Sequence, residues 1–294
     1  MALNQIVPAK YVPKKILGVL TLPFLLMLYL LYLNSQADLS VFIESENLIS
    51  TSTLGRKPHG TQIYRCDKEF SYVNFTENSR SQNQEDENIV NLFFKGACGG
   101  TYIELGALDG IRFSNSHFFW KALKWHGILI EPNPKSYEQL KLNRPEDELF
   151  NYAICSQDKQ VHFAEGHDGA ISGVYEFMPL SFKELWHRGT KVENLQKIFC
   201  RPLHSVIAES SLEDKFIDFL SLDVEGGEYE VIKTINFDLN QFGLILYEAD
   251  SHNPIKNEAM KVFLEKKGYV FRFHVRGSNY HVNKNWDKIY DKIL

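Results

Sequence analysis

Apolar and polar positions divide the chain into three regimes. Residues 16–33, ILGVLTLPFLLMLYLLYL, run for about 18 positions without a charge, near the ~20 that a helix needs to cross a bilayer. Residues 34–84 have no sustained period, are rich in Ser, Thr, Asn and Gln, and break at Lys57-Pro58-His59-Gly60, which predicts a stem with little order. From Glu85 the pattern turns regular. EDENIVNLFFKG puts acids in a first turn, Ile89, Val90, Leu92, Phe93 and Phe94 on one apolar face, and Gly96 at a C-cap, which predicts a helix. Residues 102–105 read as an inner strand. Ser114 or Ser116 can N-cap a helix carrying Phe118, Phe119, Ala122 and Leu123, and Gly127 ends it as a second strand begins.

The alternation continues. Asn133-Pro134 opens a helix with Tyr137 and Leu140, Pro145 closes it, and residues 149–155 (LFNYAIC) predict a third strand, followed by a short one at 161–164. Residues 166–203 are the least regular part, with a helix-like SFKELWHRGTKVENLQKIF, and read as an insertion or acceptor loop. Within it, His167, Asp168, Trp186, His187 and Arg188 are the side chains suited to contacting a sugar. Residues 215–223 and 242–248 predict a fourth and a fifth strand, separated by a helix that starts at Gly226-Gly227 and turns Val231, Ile232 and Ile235 inward. Residues 254–267 predict a helix, and 269–275 with 278–282 an antiparallel pair that closes the sheet. This is the grammar of an α/β, doubly wound, Rossmann-like fold with a mostly parallel sheet.

Composition narrows the setting. A formal charge of −5 carries no basic excess, which argues against a nucleic-acid partner. Cys66, Cys98, Cys155 and Cys200 contain no Cys-x-x-Cys pair, so a structural zinc site is not expected. Lys10, Lys14 and Lys15 precede the apolar run and Asp38, Glu44 and Glu46 follow it. The positive-inside rule therefore keeps a tail of residues 1–15 in the cytosol, makes 16–33 a signal-anchor helix, and sends the stem and residues 85–294 to the lumen. Asn74-Phe75-Thr76 is a glycosylation sequon on that side. Ser35-Gln36-Ala37 leaves open secretion after cleavage near Ala37. In a lumenal chain Cys66 with Cys98 is the first choice for a disulfide, because both precede the core sheet; four reduced cysteines, with Cys155 simply buried, is the alternative.

The chemistry concentrates in three motifs. In TYIELGALDG (residues 101–110) a strand enters a tight loop, where Gly106 and Gly110 allow close backbone approach to a ligand. Glu104 and Asp109 would repel a pyrophosphate but suit the ammonium and sulfonium of S-adenosylmethionine. GILIEPNP (127–134) ends its strand on Glu131, where an acid can accept both ribose hydroxyls, and Ala153 should border the adenine. FLSLDVEGGE (219–228) brings Asp223 and Glu225 to the cleft mouth. Asp223 is the first choice for a base, with Glu225, Glu248 and His252 as alternates; positioning the methionine moiety or capping the Gly226 helix is an equal reading for Asp223. Asp223 and Glu225 also offer hard oxygen ligands, but no complete metal set is legible, and no metal is assigned.

Together, IELGALDG, SNSHFFWKALKWHGILIEPNP and LSLDVEGGEYEVIK resemble the FkbM-type methyltransferase family, a branch of the class I S-adenosylmethionine-dependent enzymes. Ala107 stands where many methyltransferases carry a second glycine. The resemblance implies methyl transfer, usually to a hydroxyl oxygen, with Glu104, Gly106, Ala107, Asp109, Gly110, Glu131, Asn133 and Ala153 around the cofactor. With the anchor, it implies O-methylation of a glycan or glycoconjugate in the Golgi or endoplasmic reticulum. A hydroxylated lipid is a weaker acceptor class. A single N-terminal membrane helix before such a domain also resembles the animal Star-type proteins, which implies a non-catalytic role in moving cargo from the endoplasmic reticulum.

Overall fold

The computed structural model describes residues 61–66, 75–249, 251 and 253–291. The tail 1–15, the apolar run 16–33, the Ser35-Gln36-Ala37 site, Asn74 of the sequon and His252 lie outside the described residues. Among the described residues no helix is long and apolar enough to cross a membrane.

Seven strands make the central sheet: β1 (Thr101–Leu105), β2 (His126–Ile130), β3 (Glu148–Phe150), β4 (Phe216–Leu222), β5 (Gln241–Glu248), β6 (Tyr269–Val275) and β7 (Ser278–Asn283). Their order is β6-β7-β5-β4-β1-β2-β3. The pairs from β3 across to β5 are parallel, and β7 lies antiparallel between β5 and β6. The chain builds outward from β1 to β3 and then returns to β4 on the other side of β1. A crevice therefore opens beyond the carboxyl ends of β1 and β4.

β1 and β4 are buried along their whole lengths, which is why they read as near-continuous apolar runs, broken by Glu104 in the first and by Asp218 and Ser221 in the second. Ile103, Leu105, Leu220 and Ile245 face one layer with Val206, Ile232, Met260 and Leu264. Tyr102, Phe219 and Leu244 face the other, which is built around aromatic rings: Trp125 lies 5.0 Å from Phe94 and 4.8 Å from Phe119. That second layer includes α1 (Glu85–Leu92) and α2 (His117–Leu123), the helices expected on either side of the first strand. α3 (Pro134–Asn143), α4 (Glu228–Ile232) and α5 (Pro254–Lys266) complete the elements around the crevice. Asn133 caps α3, accepting from Lys135 N at 2.9 Å.

Three features differ from the sequence reading. First, the folded unit starts before Glu85, inside the stretch read as a stem. Thr61 donates to the buried Asp218 on β4, Tyr64–Arg65 pairs with Ala97–Cys98, and Cys66 is joined to Cys98. Second, residues 149–155 are not one strand. Asn151 donates to the carbonyls of Glu131 (2.7 Å) and Pro132 (3.2 Å), which turns the chain off the sheet edge after Phe150. Ala153–Ile154 instead joins a second, four-stranded sheet with Lys159–Ala164, Gly173–Val174 and Gln196–Arg201. Third, the insertion is more ordered than its composition implied. Its helix ends at Trp186, and QKIFCR returns as a strand that places Cys200 opposite Ala153 and bonds it to Cys155. The alternative of reduced cysteines, with Cys155 merely buried, is corrected accordingly.

The bridges close loops of sequence separation 32 and 45, for which loop entropy gives about 4 kcal/mol each. Adding dithiothreitol to the native chain should lower its guanidinium midpoint sharply, and all four cysteines should resist alkylation until then. A midpoint that reductant leaves unmoved contradicts the pairing.

Candidate active site

β1 and β4 run side by side with Leu105 opposite Leu222, and where they end the backbones cross closely. Asp223 N donates to Leu105 O at 3.3 Å. Gly106 sits in the left-handed region at φ 78°, and a Cβ there would fall 1.9 Å from the Asp223 carbonyl oxygen. No other residue fits, so this glycine sets how near the two motif loops come. Ala107, by contrast, buries its methyl group in the aromatic layer, which explains why a side chain is accepted at that position.

The loop after Gly106 is held from three sides. Gly106 N and Ala107 N donate to Ile130 O at 3.0 and 3.3 Å. Leu108, left-handed at φ 47°, donates its N–H to Glu131 Oε2 at 2.8 Å. Asp109 accepts from the amides of Ile111 (2.9 Å) and Arg112 (2.7 Å) and so closes its own turn.

Glu104 is buried and already engaged. Its carboxylate accepts from Ser114 Oγ (2.8 Å), Ser116 Oγ (2.5 Å) and the amides of Asn115 (2.7 Å) and Ser116 (3.3 Å). Burial pushes its carboxyl up, opposed by these bonds and by the Arg144 charge. Ser116 therefore stands at the N-cap of α2 without capping it, its hydroxyl turned to Glu104. Arg144, also fully buried, ties the same loop down, donating to Gly110 O (3.0 Å), Tyr102 Oη (2.6 Å) and Ser116 Oγ (3.2 Å) and pairing with Asp147 at 2.9 Å.

The cleft enclosed here measures about 920 Å³ out to its open mouth. Glu104, Gly106, Glu131, Ala153, Asp223, Glu225 and Glu248 line it, while Ala107, Asp109, Gly110 and Asn133 are absent from its wall and serve the loop and helix around it. Sequence reasoning missed Leu108, Phe113, Asn115, Tyr152 and Phe177, and the insertion's wall of Gly169, Ala170, Ser172, Gly173 and Val174. The glycines and serine of GHDGAISG were the signal for a close backbone wall. The side chains singled out there do other work: Asp168 pairs with Arg112 at 2.6 Å, buried His187 bonds Ile171 O at 2.9 Å, and Trp186 lies 5.9 Å from His167.

Two carboxylates carry the electrostatics. Glu131 is buried, and this raises its pKa to about 7 against the bonds from Asn133 N (2.7 Å) and Leu108 N. These occupy two of the roughly four acceptor positions of a carboxylate. Asp223 meets the solvent of the cleft but is otherwise walled by protein. Desolvation, with the nearby charges of Glu228, Glu85 and Glu104, pushes it up to about 7, and Lys256 opposes the shift. Glu228 accepts from Val224 N (3.1 Å) and Gly226 N (3.2 Å), shaping the turn, and pairs with Lys256 at 2.5 Å. Asp223, Glu228 and Glu248 bring ligand oxygens within 4.8 Å of one another, so this trio, not Asp223 with Glu225, is where a cation could be held; it would compete with Lys256 for Glu228.

A family model described as the methyltransferase FkbM domain matches residues 104–271, from Glu104 in β1 to Phe271 in β6. The chain belongs to the FkbM methyltransferase family. No curated protein matches it. The matched span contains Glu104, Gly106, Glu131, Asp223 and Glu248, the carboxylates and the glycine that shape the cleft.

Glu131 generates a pH prediction. As pH falls from 8 to 6 through about 7 its carboxylate gains a proton and loses acceptor capacity, so affinity for a ligand that donates hydroxyls there should fall roughly tenfold over that span. Titration of S-adenosylmethionine between pH 6 and pH 8 should show this slope in the native chain and its loss in Glu131→Gln. A slope unchanged in the variant removes Glu131 from ligand binding.

Proposed function

We propose that the protein transfers a methyl group from S-adenosylmethionine to a hydroxyl oxygen of a glycan or glycoconjugate in the secretory pathway. The observation that carries this reading is a cleft at the strand-order reversal of an FkbM domain, with Glu131 on one wall and Asp223 at its mouth. When bound, the cofactor supplies a methyl group already activated on sulfonium. The residues present fit it. Glu131 keeps acceptor capacity for a ribose diol, and Ile130, Pro132, Tyr152, Ala153 and Ile154 form an apolar wall next to it that suits an adenine. The elevated pKa of Asp223 supports its use as a general base near neutrality, taking the proton of an acceptor hydroxyl held at the mouth. Glu225 and Glu248 line the same cleft and are the alternates for that step.

The compartment is argued from chemistry. Two disulfides in one folded unit belong to an oxidising environment, and the charge-free run 16–33 with lysines before it supplies a type II anchor in the Golgi or endoplasmic reticulum.

Asp223→Asn separates catalysis from binding. Transfer of labelled methyl to glycan acceptors should fall by roughly 10²–10⁴, the span general-base catalysis supplies, with cofactor affinity little changed. Equal loss of both makes Asp223 a binding residue. Cofactor binding with no transfer to any glycan by the native chain favours the Star-like cargo role.

A further inference from the structure

A second cavity, about 340 Å³ out to its mouth, adjoins the cleft beyond Asp223. Its wall comes from four places: residues 82–85 at the start of α1, the Phe113–Asn115 turn, the ends of β4 and β5 at Asp223 and Glu248, and the β6–β7 turn at Arg276 to Ser278. Five residues, Gln82, Phe113, Asn115, Asp223 and Glu248, line both cavities, so a ligand in this annex presents its inner end to Asp223 and to the cleft.

The chemistry of the annex is one-sided. Among the described residues, Phe113 is the one large apolar side chain on its wall. Glu85, Asp223 and Glu248 bring three carboxylates. Glu85 is fixed, accepting from Asn83 N at 2.7 Å and Ser278 Oγ at 3.4 Å, and this leaves acceptor positions over. The cation on the wall, Arg276, is already engaged, donating to Gln84 Oε1 at 2.5 Å and to Asn83 O at 3.4 Å. Asn115 Oδ1, buried at the seam of the two cavities, has no hydrogen-bond partner among the described residues. Such a wall is rich in acceptors and poor in cations. It rewards O–H donors and repels anionic groups, which would sit beside like charges. Its polarity also disfavours a lipid chain.

We infer that the annex is the acceptor subsite and that it takes a hydroxyl-rich sugar residue bearing no carboxylate, sulfate or phosphate, with one hydroxyl directed at Asp223. This rests on the methyltransferase reading and deepens it. Phe113 offers the annex its apolar surface for a sugar ring, while Arg112 lies 4.4 Å from the ring centroid of that side chain.

The test uses the purified full-length chain and saturation-transfer NMR with a panel of neutral methyl hexosides and the corresponding uronic acid glycosides. The expected result is signal from at least one neutral sugar, at least tenfold weaker signal from its uronic acid, and loss of the neutral signal in Asn83→Trp, which fills the annex from a residue that does not line the cleft. If that variant fails to fold, Asn83→Leu carries the same expectation with a smaller loss. Absence of signal from the whole neutral panel, equal binding of the uronic acids, or a signal untouched by a folded Asn83 variant overturns the assignment. Calorimetry with S-adenosylmethionine on the same samples keeps the two readings apart. Sugar binding that survives without cofactor binding supports the annex and counts against the methyltransferase reading. Cofactor binding without any sugar signal does the reverse.

Discussion

The close crossing of β1 and β4 at Gly106 is the constraint on which the site depends. A single Cβ at that glycine would collide with the Asp223 carbonyl, so the loop carrying the first motif and the turn carrying the third can meet only because a side chain is missing. Once they meet, the loop must be kept open with its backbone toward the crevice, and buried polar groups do that. Glu104 gathers the Ser114-Asn115-Ser116 segment, Glu131 holds Leu108, and Arg144 braces the loop from beneath. Each is buried and matched, so loss of one partner leaves the others desolvated and unsatisfied, which costs more than any single bond contributes.

The same arrangement places charge unevenly. The cleft and its annex collect carboxylates from α1 (Glu85), β1 (Glu104) and the ends of β2, β4 and β5 (Glu131, Asp223 and Glu248), while Lys256 is the buried counter-charge on nearby Glu228. Asp223 lies at the meeting point of both cavities, and desolvation, with crowding by its acidic neighbours, lifts it toward neutrality. A base with that pKa can cycle between its two states near pH 7.

Much of this was legible in the sequence. Near-continuous apolar runs marked the inner strands, and a strand ending on an acid pointed to Glu131, which lines the cleft. What could not be read was how polar groups pair over long distances. Nothing in IELGALDG says that Glu104 is engaged by serines ten and twelve positions on, or that Asp109 closes its own turn. Asn151 gives no local sign that it will turn the chain off the sheet after Phe150, and Glu228 gives none that Lys256, 28 residues later, will meet it. The insertion misled for a related reason. Its large polar side chains suggested contact with a ligand, whereas it is the small residues Gly169, Ala170, Ser172 and Gly173 that come close enough to form a wall.

The most direct test of the central claim is calorimetric titration of the purified chain at pH 8 with S-adenosylmethionine and its demethylated product, with NAD as the control. Micromolar binding of the first two and none of NAD is the predicted result, since Glu131 is then ionised and the proposed cofactor carries no pyrophosphate. A folded chain that binds neither, or that prefers NAD, contradicts the account.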